Sequence, residues 1–218
     1  MCFSAEVSYG SAALLVTTGA VATIGNNKSS QRMIAAIPFL FGLQQAAEGI
    51  VWQTMGPDPS ESLRRVGVVI FLTFAYLIWP SWIPWSFYFI ETGERRRKIL
   101  MAIGGLGLVV SALVASILYG LKVDVYVSGH SLAYVFPDYN RHWPANLEAL
   151  LYFTPTVIPF FISSSRTIKQ AGLLIFAAML LAKYINRETE ASVWCFFAAV
   201  ISFYIAVNVL WLKKGELR

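Results

Sequence analysis

Glu48 lies inside the apolar segment from Met33 to Gln53, with Gln44 and Gln45 just before it. A carboxylate at membrane depth is costly and marks a functional site or a buried polar network. Helical spacing sets Gln44 four residues and Gln45 three residues before Glu48. Phe41, Gln44, Gln45, Glu48 and Trp52 therefore form one stripe. Lipid cannot satisfy that stripe, so it must face other helices or water. The other groups suited to chemistry are few: the only cysteines, Cys2 and Cys195, and the only histidines, His130 and His142. Thiolate, imidazole and carboxylate are the usual ligands of zinc and copper. Zinc with an open fourth position would lower the pKa of its bound water and create a hydrolytic nucleophile.

Positioning these groups requires a membrane bundle. The chain has 218 residues, of which 57% are hydrophobic and 13% charged; soluble domains carry about 25% charge. Seven tryptophans suit rings placed at membrane interfaces. The expectation is one all-α transmembrane domain, residues 1–218, multi-pass in a cell membrane. Seven spans of bilayer length are read at approximately 5–25, 33–53, 66–90, 97–120, 146–165, 168–186 and 190–212. No cleavable signal is visible, so the first helix is expected to stay. Ser4 is its expected cap, with Glu6 in the first turn. Between helices 4 and 5, Val123 to Val127 and Leu132 to Phe136 predict a small outer hairpin around Ser128-Gly129.

Loop charge sets the orientation. Lys28, Arg32, Arg95, Arg96, Arg97, Lys98, Arg166, Lys169, Lys213, Lys214 and Arg218 fall on one side; Arg64, Arg65, Lys122, Arg141, Lys183 and Arg187 fall on the other. The positive-inside rule puts the N-terminus outside and the C-terminus in the cytoplasm. The net charge of +5 therefore belongs to loop cations and excludes a nucleic-acid partner. The partners expected are the bilayer and a small molecule, and a homo-oligomer stays open. Pro80, Pro84, Pro155 and Pro159 should kink their helices. Trp79, Trp82 and Trp85 are expected to include interface anchors, and Gly104, Gly105 and Gly107 to allow close helix contact.

At the helical rise, Glu48 and Cys195 both come roughly 7–8 Å below the outer rim. Cys2 lies just above that level, and the outer loop could bring His130 or His142 over it. The first expectation is a zinc-type or other transition-metal-dependent hydrolase. Cys2, Cys195 and a histidine would be ligands, and Glu48 a fourth ligand or the general base. Gln44, Gln45, Trp52, Lys183 and Trp194 would support the site or bind the substrate. The alternative is a transporter or sensor that binds a small polar or cationic ligand at Glu48. A third reading is a thiol redox protein using Cys2 and Cys195. Against all three stand structural roles: Gln44, Gln45 and Glu48 as helix cross-links, Glu48 paired to Lys183, Cys195 as a packing residue, and a Cys2–Cys195 staple.

Three blocks carry a resemblance: Met1-Cys2-Phe3-Ser4-Ala5, the run Pro38 to Gly49 with Trp52, and Ser192 to Ala199. With these the chain resembles an uncharacterised family of bacterial membrane proteins that open with this pentapeptide. The resemblance implies seven helices in a bacterial inner membrane and supplies no activity. Other seven-helix families fit poorly. Retinal proteins need a lysine in the last helix, and Glu190 to Leu212 has none. The ceramidase-like zinc hydrolases use a late H-x-x-x-H pair that is absent here.

Overall fold

The computed structural model describes residues 4–25, 28–57, 60–139, 144–185 and 187–211. It is a bundle of apolar helices closed at one end by a hairpin. Six helical stretches are long and apolar enough to cross a membrane: Ala5–Ile24, Ser29–Gln53, Glu61–Ile90, Glu94–Leu118, Ala145–Ile162 and Arg166–Tyr184. A further apolar helix runs Glu190–Trp211. The elements are α1 (Ala5–Ile24), α2 (Arg32–Ala35), α3 (Ile37–Gln53), α4 (Glu61–Thr73), α5 (Trp79–Ile90), α6 (Glu94–Leu118), β1 (Asp124–Ser128), β2 (Ser131–Val135), α7 (Ala145–Ile162), α8 (Arg166–Ile185) and α9 (Glu190–Trp211).

Local chemistry sets the helix limits. The Ser4 hydroxyl accepts from the Val7 backbone N–H and starts α1, as its type requires of an N-cap. Ser60 does the same for α4 through Leu63. Small residues bring α1 against α3: a Cβ on Gly42 would lie 2.7 Å from Val16, and one on Gly19 would strike the Phe39 backbone. Close backbone approach of this kind replaces the hydrophobic driving force that lipid removes.

The third stretch is a single rod interrupted by a π-helical turn, Phe74–Ile78, between α4 and α5. Pro80 follows directly; its ring lacks an N–H and would clash with the carbonyl four residues back. The wider turn accommodates it. Side chains take up carbonyls of the turn: Tyr152 donates to Ala75 O at 2.5 Å and Ser111 to Leu77 O at 2.6 Å. The Pro80 carbonyl lies against Gly107, where a Cβ would strike it. Trp85 packs over Gly104, whereas Gly105 meets nothing within 4 Å. Two of the three expected glycine contacts are therefore present.

Trp79 departs from the expected interface role: it is a core residue, 4% exposed, drawn inwards because its N–H finds an acceptor there. Trp82 is half-buried and donates its indole N–H to the Met33 carbonyl at 2.9 Å.

The hairpin forms where expected. β1 and β2 pair antiparallel, with Val125 opposite Tyr134 and Ser128 opposite Ser131. Gly129 supplies the left-handed turn residue at φ 62°. Leu132, Ala133 and Tyr134 of β2 are buried, and β2 packs on α9. The Tyr134 ring stacks on Phe71 of α4 at 4.7 Å. Tyr126 donates to Glu188 at 2.9 Å, tying β1 to the α8–α9 connection. The hairpin thus lids this end of the bundle.

The opposite end is held by Glu91. Its carboxylate accepts from the Ser164 N–H at 2.7 Å and the Gly93 N–H at 3.2 Å, with Arg96 at 3.8 Å. It ties the α5–α6 turn to the α7–α8 turn. Burial opposes its ionisation, but the two N–H groups and Arg96 together hold the carboxyl below its ordinary pKa.

Candidate functional site

α3 carries the polar stripe into the bundle interior beside α9. Gln44, Gln45, Glu48, Ser192 and Cys195 are each at most 6% exposed. Ser192 donates to Glu48 Oε1 at 2.5 Å, and Gln45 Nε2 donates to Glu48 Oε2 at 3.2 Å. The carboxyl group is therefore held on both oxygens, one from each helix. Gln44 Oε1 accepts from Trp79 Nε1 at 2.8 Å, which fixes its amide orientation because the indole can only donate. Phe41 stacks on that indole at 3.9 Å. The Cys195 thiol sits beside Gln44 and within electrostatic reach of Glu48.

Several buried polar atoms here find no hydrogen-bond partner among the described residues: Gln44 Nε2, Gln45 Oε1, Trp52 Nε1, Trp194 Nε1 and the Tyr134 hydroxyl. Each such group costs about 1–3 kcal/mol when left without a partner. Tyr134 comes from the hairpin and lies close enough to Glu48 and Cys195 to feel both. Burial first, then the Glu48 carboxyl, pushes its phenol well above the ordinary pKa. Next to them Tyr76 and Tyr152 meet edge to face at 5.8 Å, and Tyr152 meets Trp194 at 5.9 Å.

A narrow, largely apolar groove starts beside this cluster and runs along α9. Its lining begins at Trp194, Cys195, Tyr152 and Trp79 and continues to Phe160, Ile37 and Ile205.

The expected site residues divide clearly. Gln44, Gln45, Glu48 and Cys195 come together, with Trp194 beside them. Trp52 follows Glu48 by one turn of α3 and is half-buried. Lys183 is exposed and forms no ion pair with Glu48; Ser192 and Gln45 hold the carboxyl instead. His130 is exposed at the hairpin tip, because the register turns β2 inwards and leaves the turn in solvent. Cys2 and His142 lie outside the described residues. Among the described residues, no group of three or more His, Cys, Asp and Glu gathers as a metal site would need.

Sequence reasoning did not assign Ser192, Trp79 and Tyr134 to the site. Ser192 stands three residues before Cys195, on one helix face, a spacing that reads equally well as a small-residue packing stripe. Tyr134 was recognisable only as an alternating strand residue, since nothing local says which face of a hairpin turns inwards.

No curated protein and no solved structure matches the chain. The model of a family of unknown function, DUF6629, matches residues 1–216. That match covers nearly the whole bundle, from before α1 to beyond the end of α9, and so takes in every residue of the Glu48 cluster. The chain therefore belongs to this family of unknown function.

Proposed function

We propose that the protein is a multi-pass protein of the bacterial inner membrane that binds a small polar ligand at Glu48, as a transporter or sensor does. In this reading α9 is a seventh span, its 22 residues rising about 33 Å against a hydrocarbon core of about 30 Å. The hairpin end faces outwards and the Glu91 end, where Arg95, Arg96, Arg97 and Lys98 begin α6 and Arg166 begins α8, faces the cytoplasm.

One observation carries the ligand reading: α3 and α9 hold buried polar atoms without a partner among the described residues, beside a carboxyl held on both oxygens. A purely structural cross-link would satisfy its own groups. Gln44 Nε2, Trp52 Nε1 and Trp194 Nε1 are donors, and Gln45 Oε1 is an acceptor. The complement is a molecule rich in oxygen acceptors that also has a hydroxyl or amine to give. Thermal unfolding in lipid nanodiscs tests this against a panel of small polyols, carboxylates and amines. A ligand of this site raises the Tm of wild type and of Lys183→Ala but not of Glu48→Gln or Gln44→Leu. Equal shifts in all four proteins would remove the site from consideration.

A second reading, a metal-dependent hydrolase, draws on the Cys195 thiol beside Glu48. It needs Cys2 or His142 to complete a ligand set. Elemental analysis of protein purified without chelator decides it: about one transition metal per chain, lost in Cys195→Ser, is the outcome it requires.

A further inference from the structure

Glu48 is a buried carboxyl with hydrogen bonds but no cation. The helices packed on α3 are α1, α2, α4 and α9. From α9, Ser192 and Cys195 face the carboxyl, and from the hairpin Tyr134 lies within its electrostatic reach. α1 sends Tyr9 to Gln53 instead, and its Glu6 is exposed. Arg32 of α2 and Arg65 of α4 are exposed, and Arg64 of α4 is half-buried. Among the described residues, no cation pairs with Glu48. A carboxylate shut away from water without a counter-charge is costly, and taking up a proton removes that cost.

Both forms of the carboxyl find partners already in place. The ionised group accepts from Ser192 at Oε1 and from Gln45 Nε2 at Oε2. On the same amide, Gln45 Oε1 has no partner among the described residues. A half-turn of that amide sets its oxygen against Oε2, where it accepts from a protonated carboxyl, while the Ser192 hydroxyl donates in either state. A fixed cross-link has no use for an idle acceptor beside its donor.

We infer that Glu48 is a proton-binding site in exchange with the hairpin face. The carboxylate takes one proton from water on that side, an O–H bond forms at Oε2, and the Gln45 carbonyl turns to accept it; release reverses both steps. The surroundings set the side. Towards the hairpin, the Tyr134 hydroxyl has no partner among the described residues and lies in reach of Glu48 and Tyr76. Tyr76 is in turn in reach of Glu190, half-buried at the start of α9. Phenol hydroxyls donate and accept, as a proton relay needs. In the other direction the narrow groove is walled by Phe160, Ile175 and Ile205, which offer a proton no partner. The inference goes beyond the ligand reading and stands without it, because a proton needs no cavity.

Infrared difference spectroscopy in nanodiscs, with no ligand added, tests the site. On acidification, wild type is expected to gain the C=O band of a protonated carboxyl shielded from water, and to lose it on return to alkaline pH. Glu48→Gln is expected to lack that band. If Glu48→Gln does not fold, Ser192→Ala assigns the band by shifting its frequency. A band present at every pH or at none, or one unchanged by either variant, overturns the site. Stopped-flow pH jumps test the route. A positioned proton carrier contributes about 10²–10⁴-fold, so Tyr134→Phe is expected to slow the rise of the band by about tenfold or more. Tyr9→Phe, away from the route, is expected to keep the wild-type rate. Tyr76→Phe replaces Tyr134→Phe if that variant does not fold. Equal rates in all of these proteins overturn exchange through the hairpin face.

Discussion

Removing the Ser192 hydroxyl tests whether Glu48 is held as the geometry requires. The pair is 2% exposed on both sides and bonded at 2.5 Å. Ser192→Ala leaves Glu48 Oε1 without its donor, and a buried acceptor so stripped costs about 1–3 kcal/mol. Interhelical hydrogen bonds in membranes couple more weakly, about 0.6 kcal/mol on average and about 1.7 at most. The fully buried contact belongs at the upper end, so a cost of about 1–2 kcal/mol is expected. In a Glu48→Ala background the acceptor is already gone, and the same substitution should cost about 0.3 kcal/mol or less. The coupling is then about 1–2 kcal/mol, well above the roughly 0.3–0.5 kcal/mol within which independent sites add. Equilibrium unfolding of the four proteins, by titrating SDS into mild detergent, measures it. Equal costs of Ser192→Ala in both backgrounds would show that the contact between α3 and α9 does not exist in the folded protein.

Gly107→Ala should destabilise by about 3 kcal/mol or more, because the Pro80 carbonyl occupies the place of the new Cβ, whereas Gly105→Ala, with open space around it, should be neutral or gain up to about 1 kcal/mol; the same unfolding titration compares them. Tyr152→Phe should cost about 1–3 kcal/mol by stranding the Ala75 carbonyl of the π-helical turn, again read by unfolding. Glu91 has its pKa lowered in the folded state, so it adds stability above the ordinary carboxylate range, and that stability is lost as pH falls through the folded pKa. Wild type should therefore lose Tm on acidification through that window, and Glu91→Gln should be less stable at neutral pH with a flatter pH profile; parallel profiles would contradict the linkage. In a Cys2→Ser background, Cys195 should resist a maleimide in the folded protein and react on unfolding, since it is 6% exposed.

The helical bundle was legible in the sequence because lipid tolerates few backbone solutions: long apolar runs must be helices. The helix limit at Ser4 and the hairpin at Ser128-Gly129 follow from short-range chemistry, whereas α4 starts at Glu61 behind its Ser60 cap, earlier than the expected span at 66, because the polar first turn of Glu61, Arg64 and Arg65 hides it from an apolar count. The Glu48 stripe was legible too, since helical spacing and the cost of a carboxylate in lipid suffice. What spacing along one helix could not supply was the partner. Ser192 lies 144 residues from Glu48, and its choice over Lys183 depends on how α9 rotates against α3. Lys183 reaches solvent instead, where a long charged side chain is cheapest. His130 was placed near the site on loop length alone, whereas the strand register turns Tyr134 inwards. Trp79 looked like an interface residue from composition, but the π-helical turn before Pro80 sets its ring against Gln44.

The most direct measurement is native mass spectrometry of wild type beside Glu48→Gln, each extracted gently from the membrane and stripped of bulk lipid. The buried site predicts that wild type retains a small molecule of one defined mass, at no more than one per chain, and that Glu48→Gln lacks it while remaining folded. The same adducts on both proteins, or none on either, would contradict a ligand held at Glu48 and leave the carboxyl as a structural link between α3 and α9.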